Sequence, residues 1–101
     1  MDLEKNLGFL GLARKAGALE VGTDAVEAAI AKGKVKLLVL ASDAGRSTVG
    51  MFASICKEKG VPVRYSATKD QLGRALGRSQ VAVAAVTGWH FAQQMLKEEP
   101  R

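Results

Sequence analysis

The chain's 101 residues are 48% hydrophobic and 25% charged, enough for one globular domain with its own core and no room for a linker or a second unit. Fifteen basic residues against ten acidic ones give a net charge of +5, which points toward a polyanionic partner, although a charge excess also serves solubility. No run of about 18 apolar residues occurs, the opening MDLEKNLGF has neither a basic n-region nor a cleavage-site pattern, and the single cysteine has no partner for an internal disulfide. A soluble cytoplasmic protein that spans no membrane is expected, with one domain over residues 1–101.

Asp2 is the expected cap of a first helix whose inward stripe is Leu3, Leu7 and Leu10. Gly8 and Gly11 lie inside it, each costing about 0.5–1 kcal/mol relative to alanine, a cost that close approach to another element would offset. Arg14 and Lys15 complement the dipole of the last turn, and Gly17 ends the helix. A short strand over 18–21 follows. Thr23 then stands where its hydroxyl would cap a second helix, with Val26, Ala29 and Ile30 as its apolar face and Gly33 as its stop. Val35, Leu37, Leu38, Val39, Leu40 and Ala41 make a nearly continuous apolar run, the pattern of a strand covered on both faces.

After a loop at 42–46, Ser47 is expected to open a third helix in which Val49, Phe52, Ala53 and Cys56 keep the i, i+3, i+4, i+7 spacing, so that Cys56 is a buried thiol. Lys57 and Lys59, then Gly60 and Pro62, form its stop. A third strand covers 62–65. Thr68 with Gln71 matches a capping box, opening a short helix with Leu72 and Leu76 inward and Gly77 at its end. A loop at 77–80 leads to an apolar strand over 81–86. Thr87 is the expected cap of a last helix, where Phe91 with Met95 and Ala92 with Leu96 are four-residue neighbours. One helix followed by four strand–helix alternations predicts an α/β fold: a three-layer alpha/beta/alpha sandwich with a central four-stranded sheet, largely parallel or mixed.

The residues assemble no catalytic constellation. His90 is the single histidine, stands near a helix start and reads as solvated, and no cysteine or carboxylate lies near it at metal-ligand spacing. GxGxxG and the P-loop are absent, and SDAGRSTVG lacks the lysine that a phosphate-transfer loop requires. No enzyme activity, cofactor or metal is therefore expected. A binding site is easier to build: Gly22, Thr23 and Asp24 present backbone donors at a helix start, and the loops containing Ser42, Asp43 and Arg46, and Arg78, Ser79 and Gln80, adjoin buried strands. Arg46, Arg74 and Arg78 would contact phosphates or bases there, with Lys32, Lys34 and Lys36 as further contacts. Structured RNA fits better than single strands, because the few aromatic residues form no evident stacking platform and Trp89, Phe52 and Phe91 are expected in the core.

Several stretches, in order and spacing, resemble the kink-turn RNA-binding ribosomal-protein family and, within it, the small bacterial YlxQ-type members. They are LGLARKAG (10–17), the GT at Gly22 and Thr23, GKVKLLVLASDA (33–44), residues 60–65, LGRALGRSQVAV (72–83) and AVT (85–87). The resemblance implies a sandwich that grips the bent backbone and sheared G·A pairs of a kink-turn. It places a polar pair at Asp24 and Ala25, a lysine at the position of Ala28, and a base-covering apolar loop where this chain has Arg78, Ser79 and Gln80. The scaffold matches while those contact positions depart from the family pattern. Asp24 beside a phosphate would repel it but can accept from a guanine edge or a base amino group; Ala28 removes one cationic contact, and Arg78 adds one. The implied function is non-enzymatic binding of ribosomal or kink-turn-like RNA by a monomeric ribosomal or ribosome-associated protein. Two other readings stand beside it: a protein-interaction module on the same fold that has lost kink-turn specificity, and an RNA-modifying enzyme or its detached recognition domain.

Overall fold

The computed structural model describes residues 3–97. In chain order the elements are α1 (Leu3–Lys15), β1 (Leu19–Val21), α2 (Thr23–Ala31), β2 (Leu37–Leu40), α3 (Arg46–Lys59), β3 (Val63–Tyr65), α4 (Lys69–Ala75), β4 (Val83–Val86) and α5 (Trp89–Lys97). The expected Asp2 cap and the side chain of Leu3 lie outside the described residues.

The strands form one sheet in the order β1-β4-β2-β3. β2 and β3 are parallel, with Leu38 opposite Val63, whereas β4 runs antiparallel to both β1 and β2. Of the two arrangements the sequence allowed, the sheet is therefore the mixed one, because β4 inserts between two strands that share a direction.

Side-chain alternation along the central strands divides the core into two layers. Leu37 and Val39 of β2, with Ala84 and Val86 of β4, meet Leu10 and Ala13 of α1, Leu72 of α4, and Ala92 and Met95 of α5. Leu38, Leu40, Val83 and Ala85 face the other way, onto Val26, Ala29 and Ile30 of α2 and Phe52 and Cys56 of α3. Every residue of β2 and β4 is buried, as the continuous apolar runs require. Each fully buried leucine, valine or phenylalanine contributes about 1.5–3 kcal/mol relative to an exposed one. Asn6 of α1, 2% exposed, is the buried polar residue among those described, and its amide donates to the Ser66 hydroxyl beyond β3.

Several helix ends follow the sequence signals. α3 stops with Gly60 in the left-handed region at φ +72°, where its N–H bonds the Cys56 carbonyl. α4 has both halves of its capping box: Gln71 N–H donates to Thr68 Oγ1 at 3.2 Å, and Thr68 N–H donates to Gln71 Oε1 at 2.9 Å. Others differ. Gly22, not Thr23, is the N-cap of α2, so Thr23 is already helical and its hydroxyl caps nothing. Gly45 likewise precedes α3, which begins at Arg46, one residue before the expected Ser47, and α5 begins at Trp89, later than a Thr87 cap would start it. Nothing would meet a Cβ at Gly8, and at Gly11 the nearest neighbour is the Ala75 carbonyl at 4.0 Å, so neither glycine serves a close approach. Such approaches occur at Gly73 and Gly88 instead. Phe52 is buried and Phe91 half-buried, but Trp89, the first residue of α5 and three residues beyond the end of β4, is 60% exposed, against its expected place in the core.

Candidate nucleic-acid interface

Loops leave the sheet at two rims. At the front rim, where β2 ends, Gly22 N–H bonds the Val83 carbonyl, Ala41 N–H bonds that of Ala82, and Ser42 N–H bonds that of Ala67, at 3.0, 2.9 and 2.9 Å. The starts of α2, α3 and α4 and the loop before β4 therefore share this rim. At the back rim, Lys36 N–H bonds the Val86 carbonyl at 2.8 Å and Thr87 N–H bonds that of Ala18 at 2.9 Å.

The three helix starts at the front rim are treated differently. α4 is closed by its capping box and by Asp43, whose Oδ1 accepts the Lys69 N–H at 2.8 Å. α2 and α3 have glycine N-caps and no side-chain cap, which leaves the positive ends of their dipoles open. Gly22 adopts φ +96°, ψ 160°, a conformation reserved for glycine, and a Cβ there would lie 3.7 Å from the Arg78 guanidinium. Arg78 thus sits over the start of α2, and exposed Arg46 begins α3.

The loop that carries Arg78 is fastened to α4. Arg78 N–H bonds the Gly73 carbonyl at 2.7 Å, Val81 N–H bonds that of Lys69 at 3.0 Å, and Gln80 Nε2 donates to Asp70 Oδ1 at 2.7 Å. The loop lies so close that a Cβ on Gly73 would be 2.6 Å from the Ser79 carbonyl oxygen. Asp43 and Asp70 are occupied by these internal bonds, and exposed Asp24 in the first turn of α2 is the neighbouring acceptor facing water.

The front rim thus gathers Gly22, Thr23, Asp24, Ala25, Ser42, Asp43, Arg46, Arg78, Ser79 and Gln80. Ala28 stands one turn further along α2 and lines a shallow hollow with Glu20, Ala25, Ala29, Lys32 and Lys34. Lys32, Lys34 and Lys36 are not gathered with the front-rim residues: α2 intervenes, about 13 Å of helix for nine residues. Arg74 opens instead onto a hollow between α1 and α4 lined by Leu7, Gln71 and Ala75. Arg14, read from the sequence as a helix-end residue first and a ligand contact second, brings its guanidinium within 3.8 Å of where a Cβ on Gly77 would lie, and no local pattern links residues so far apart in the chain.

Among the described residues no three His, Cys, Asp or Glu side chains are placed to hold a metal ion, and no helix is long and apolar enough to cross a membrane. Burial raises the thiol pKa of Cys56.

A four-stranded mixed sheet with α1, α4 and α5 on one face and α2 and α3 on the other defines a small three-layer α/β/α domain. Residues 4–95 match the model of the Ribosomal protein L7Ae/L30e/S12e/Gadd45 family, and the chain belongs to that family. It is 32% identical over 88 residues to the RNA-binding protein YlxQ of Bacillus subtilis (strain 168), across 87% of this chain and 88% of that protein. A solved structure from Bacillus halodurans C, described as a protein with unknown function, superposes with a TM-score of 0.87 at 33% identity, over 92% of this chain and 94% of that one. The Giardia lamblia 15.5kD RNA binding protein has the same fold, with a TM-score of 0.80 at 21% identity over 97% of this chain and 88% of that chain.

Proposed function

We propose that this protein binds folded RNA of the kink-turn type through the front rim, as a non-enzymatic ribosomal or ribosome-associated protein. The observation that carries the proposal is the pairing of the uncapped α2 start with the Arg78 guanidinium above it, on a loop clamped to α4. Backbone N–H groups at a helix start and a guanidinium converge on the same anion, so a phosphate at a sharp bend is held from two sides. Arg46 at the open start of α3 adds a further cation along the same rim. Asp24 is the complementary element: it repels phosphate and accepts hydrogen bonds, which directs it to a guanine edge or a base amino group. Membership of the family, and the printed description of the Bacillus subtilis relative as RNA-binding, support the same reading.

The test is a titration of labelled kink-turn RNA against the same duplex with its G·A pairs made Watson–Crick, at two salt concentrations. A preference of about tenfold, equivalent to about 1.4 kcal/mol, is expected for the kink-turn. Arg78→Ala should weaken binding by about 10- to 100-fold and reduce the salt slope by about one. Equal, steeply salt-dependent binding to both RNAs would leave only backbone electrostatics, and no binding to either would favour a protein-interaction role.

A further inference from the structure

The back rim holds the chain's single tryptophan, outside the core. The turn that leads to it is fixed on both sides. Thr87 N–H bonds the Ala18 carbonyl at 2.9 Å, and Lys36 N–H bonds the carbonyl of Val86 at 2.8 Å. A Cβ on Gly88 would fall 2.7 Å from Ala18 Cβ, so this turn packs directly on the residues that enter β1. Trp89 follows at once, 60% exposed, and His90 beside it is exposed with its ring edge-on to Phe91 at 5.9 Å.

Cations lie along the rim that holds this turn. Lys15 lies three residues before Ala18, and exposed Lys34 and Lys36 lead into β2 beside Val86. α3 ends at the same rim with Lys57 and Lys59, since its chain returns through Pro62, whose carbonyl accepts the Leu38 N–H at 2.9 Å. Among the described residues three carboxylates adjoin them: Glu58 in the last turn of α3, Glu27 in a hollow with Lys59, and Glu20 in the hollow lined by Lys32 and Lys34. The acceptors at the front rim, Asp24, Asp43 and Asp70, belong to the other end of the strands.

We propose that the back rim is a second RNA-binding surface, on which Trp89 stacks an unpaired base while Lys34 and Lys36 hold the adjoining phosphates. A flat indole at the surface is reached only by a base that has left its helix, so the ligand is a single-stranded segment. Flexible ammonium groups hold its backbone without selecting a sequence. β2 separates the rims by about 13 Å for its four residues, so one domain holds a folded element at the front and an unpaired strand at the back. This second site stands on its own observations, whether or not the front rim reads kink-turns.

The test is a titration of the full chain with an unstructured uridine-rich RNA of about ten nucleotides, within the range one domain covers. Tryptophan emission reports this rim alone, and anisotropy of the labelled oligomer measures affinity independently. Saturable quenching that follows the anisotropy is expected. Trp89→Ala should weaken binding about 5- to 100-fold and Trp89→Phe much less, as stacking on an aromatic ring predicts. Lys34→Glu with Lys36→Glu, at exposed positions, should abolish binding while the thermal melt stays unchanged. Absence of oligomer binding, binding without quenching, or equal quenching by polyglutamate would each overturn the proposal. So would binding lost in Arg78→Ala but retained in Trp89→Ala, which would assign the oligomer to the front rim.

Discussion

Gly73→Ala, set against Gly8→Ala, tests whether the loop carrying Arg78 is held by close packing on α4. Both glycines lie inside helices, and helix propensity alone favours alanine at each by about 0.5–1 kcal/mol. Nothing lies within 4 Å of a Cβ at Gly8, so that substitution should stabilise by the full amount. At Gly73 the new carbon would meet the Ser79 carbonyl oxygen at 2.6 Å, its carbonyl carbon at 2.7 Å and the Arg78 carbonyl oxygen at 2.8 Å, all of them backbone. Restoring ordinary contact at 3.4 Å needs the loop to withdraw by 0.8 Å, the difference between 3.4 and 2.6 Å. That motion loosens the 2.7 Å bond from Arg78 N–H to Gly73, worth about 0.5–1.5 kcal/mol, and adds overpacking strain of about 1–3 kcal/mol. Gly73→Ala should therefore destabilise by about 1–3 kcal/mol net in urea unfolding, and it should weaken kink-turn binding because Arg78 moves off Gly22. Equal stabilisation by both substitutions, with RNA affinity unchanged, would refute the reasoning.

Thr68→Ala removes the acceptor of the Gln71 N–H and should cost about 1 kcal/mol in denaturant unfolding, while Thr68→Ser should restore nearly all of it. Cys56 is fully buried and its thiol pKa is raised by desolvation, so it should resist alkylation in the native protein and react at once in denaturant. The sign of the pH dependence follows from the same shift. The folded state holds the neutral thiol more tightly than the unfolded chain does, so this contribution is complete below the ordinary thiol range and is lost as pH rises through the folded pKa. Cys56→Ser should flatten that alkaline decline in stability while lowering stability at neutral pH.

Residues that act locally were legible in the sequence. The apolar runs of β2 and β4, the spacing that buries Phe52 and Cys56, the Thr68 and Gln71 box, and Gly60 as a helix stop each depend on neighbours a few positions away. So does the division of the described residues into five helices and four strands, because alternation of 2.0- and 3.6-residue periods is written along them. Strand direction is not: a strand covered on both faces reads alike whether its neighbour is parallel or antiparallel, and only tertiary packing set β4 between β1 and β2. The candidate site divides the same way. Its loops and basic residues could be picked out one by one, but their grouping depends on contacts across the chain. Asp43 is taken up by Lys69 26 residues away, and Arg78 reaches back over Gly22. Lys32, Lys34 and Lys36 fall to the other rim because α2 carries the chain from front to back before β2 begins. Trp89 is the plainest case. Its hydrophobicity assigns it to the core, and only the tertiary structure, which packs the turn at Gly88 on Ala18, leaves it 60% exposed at the back rim.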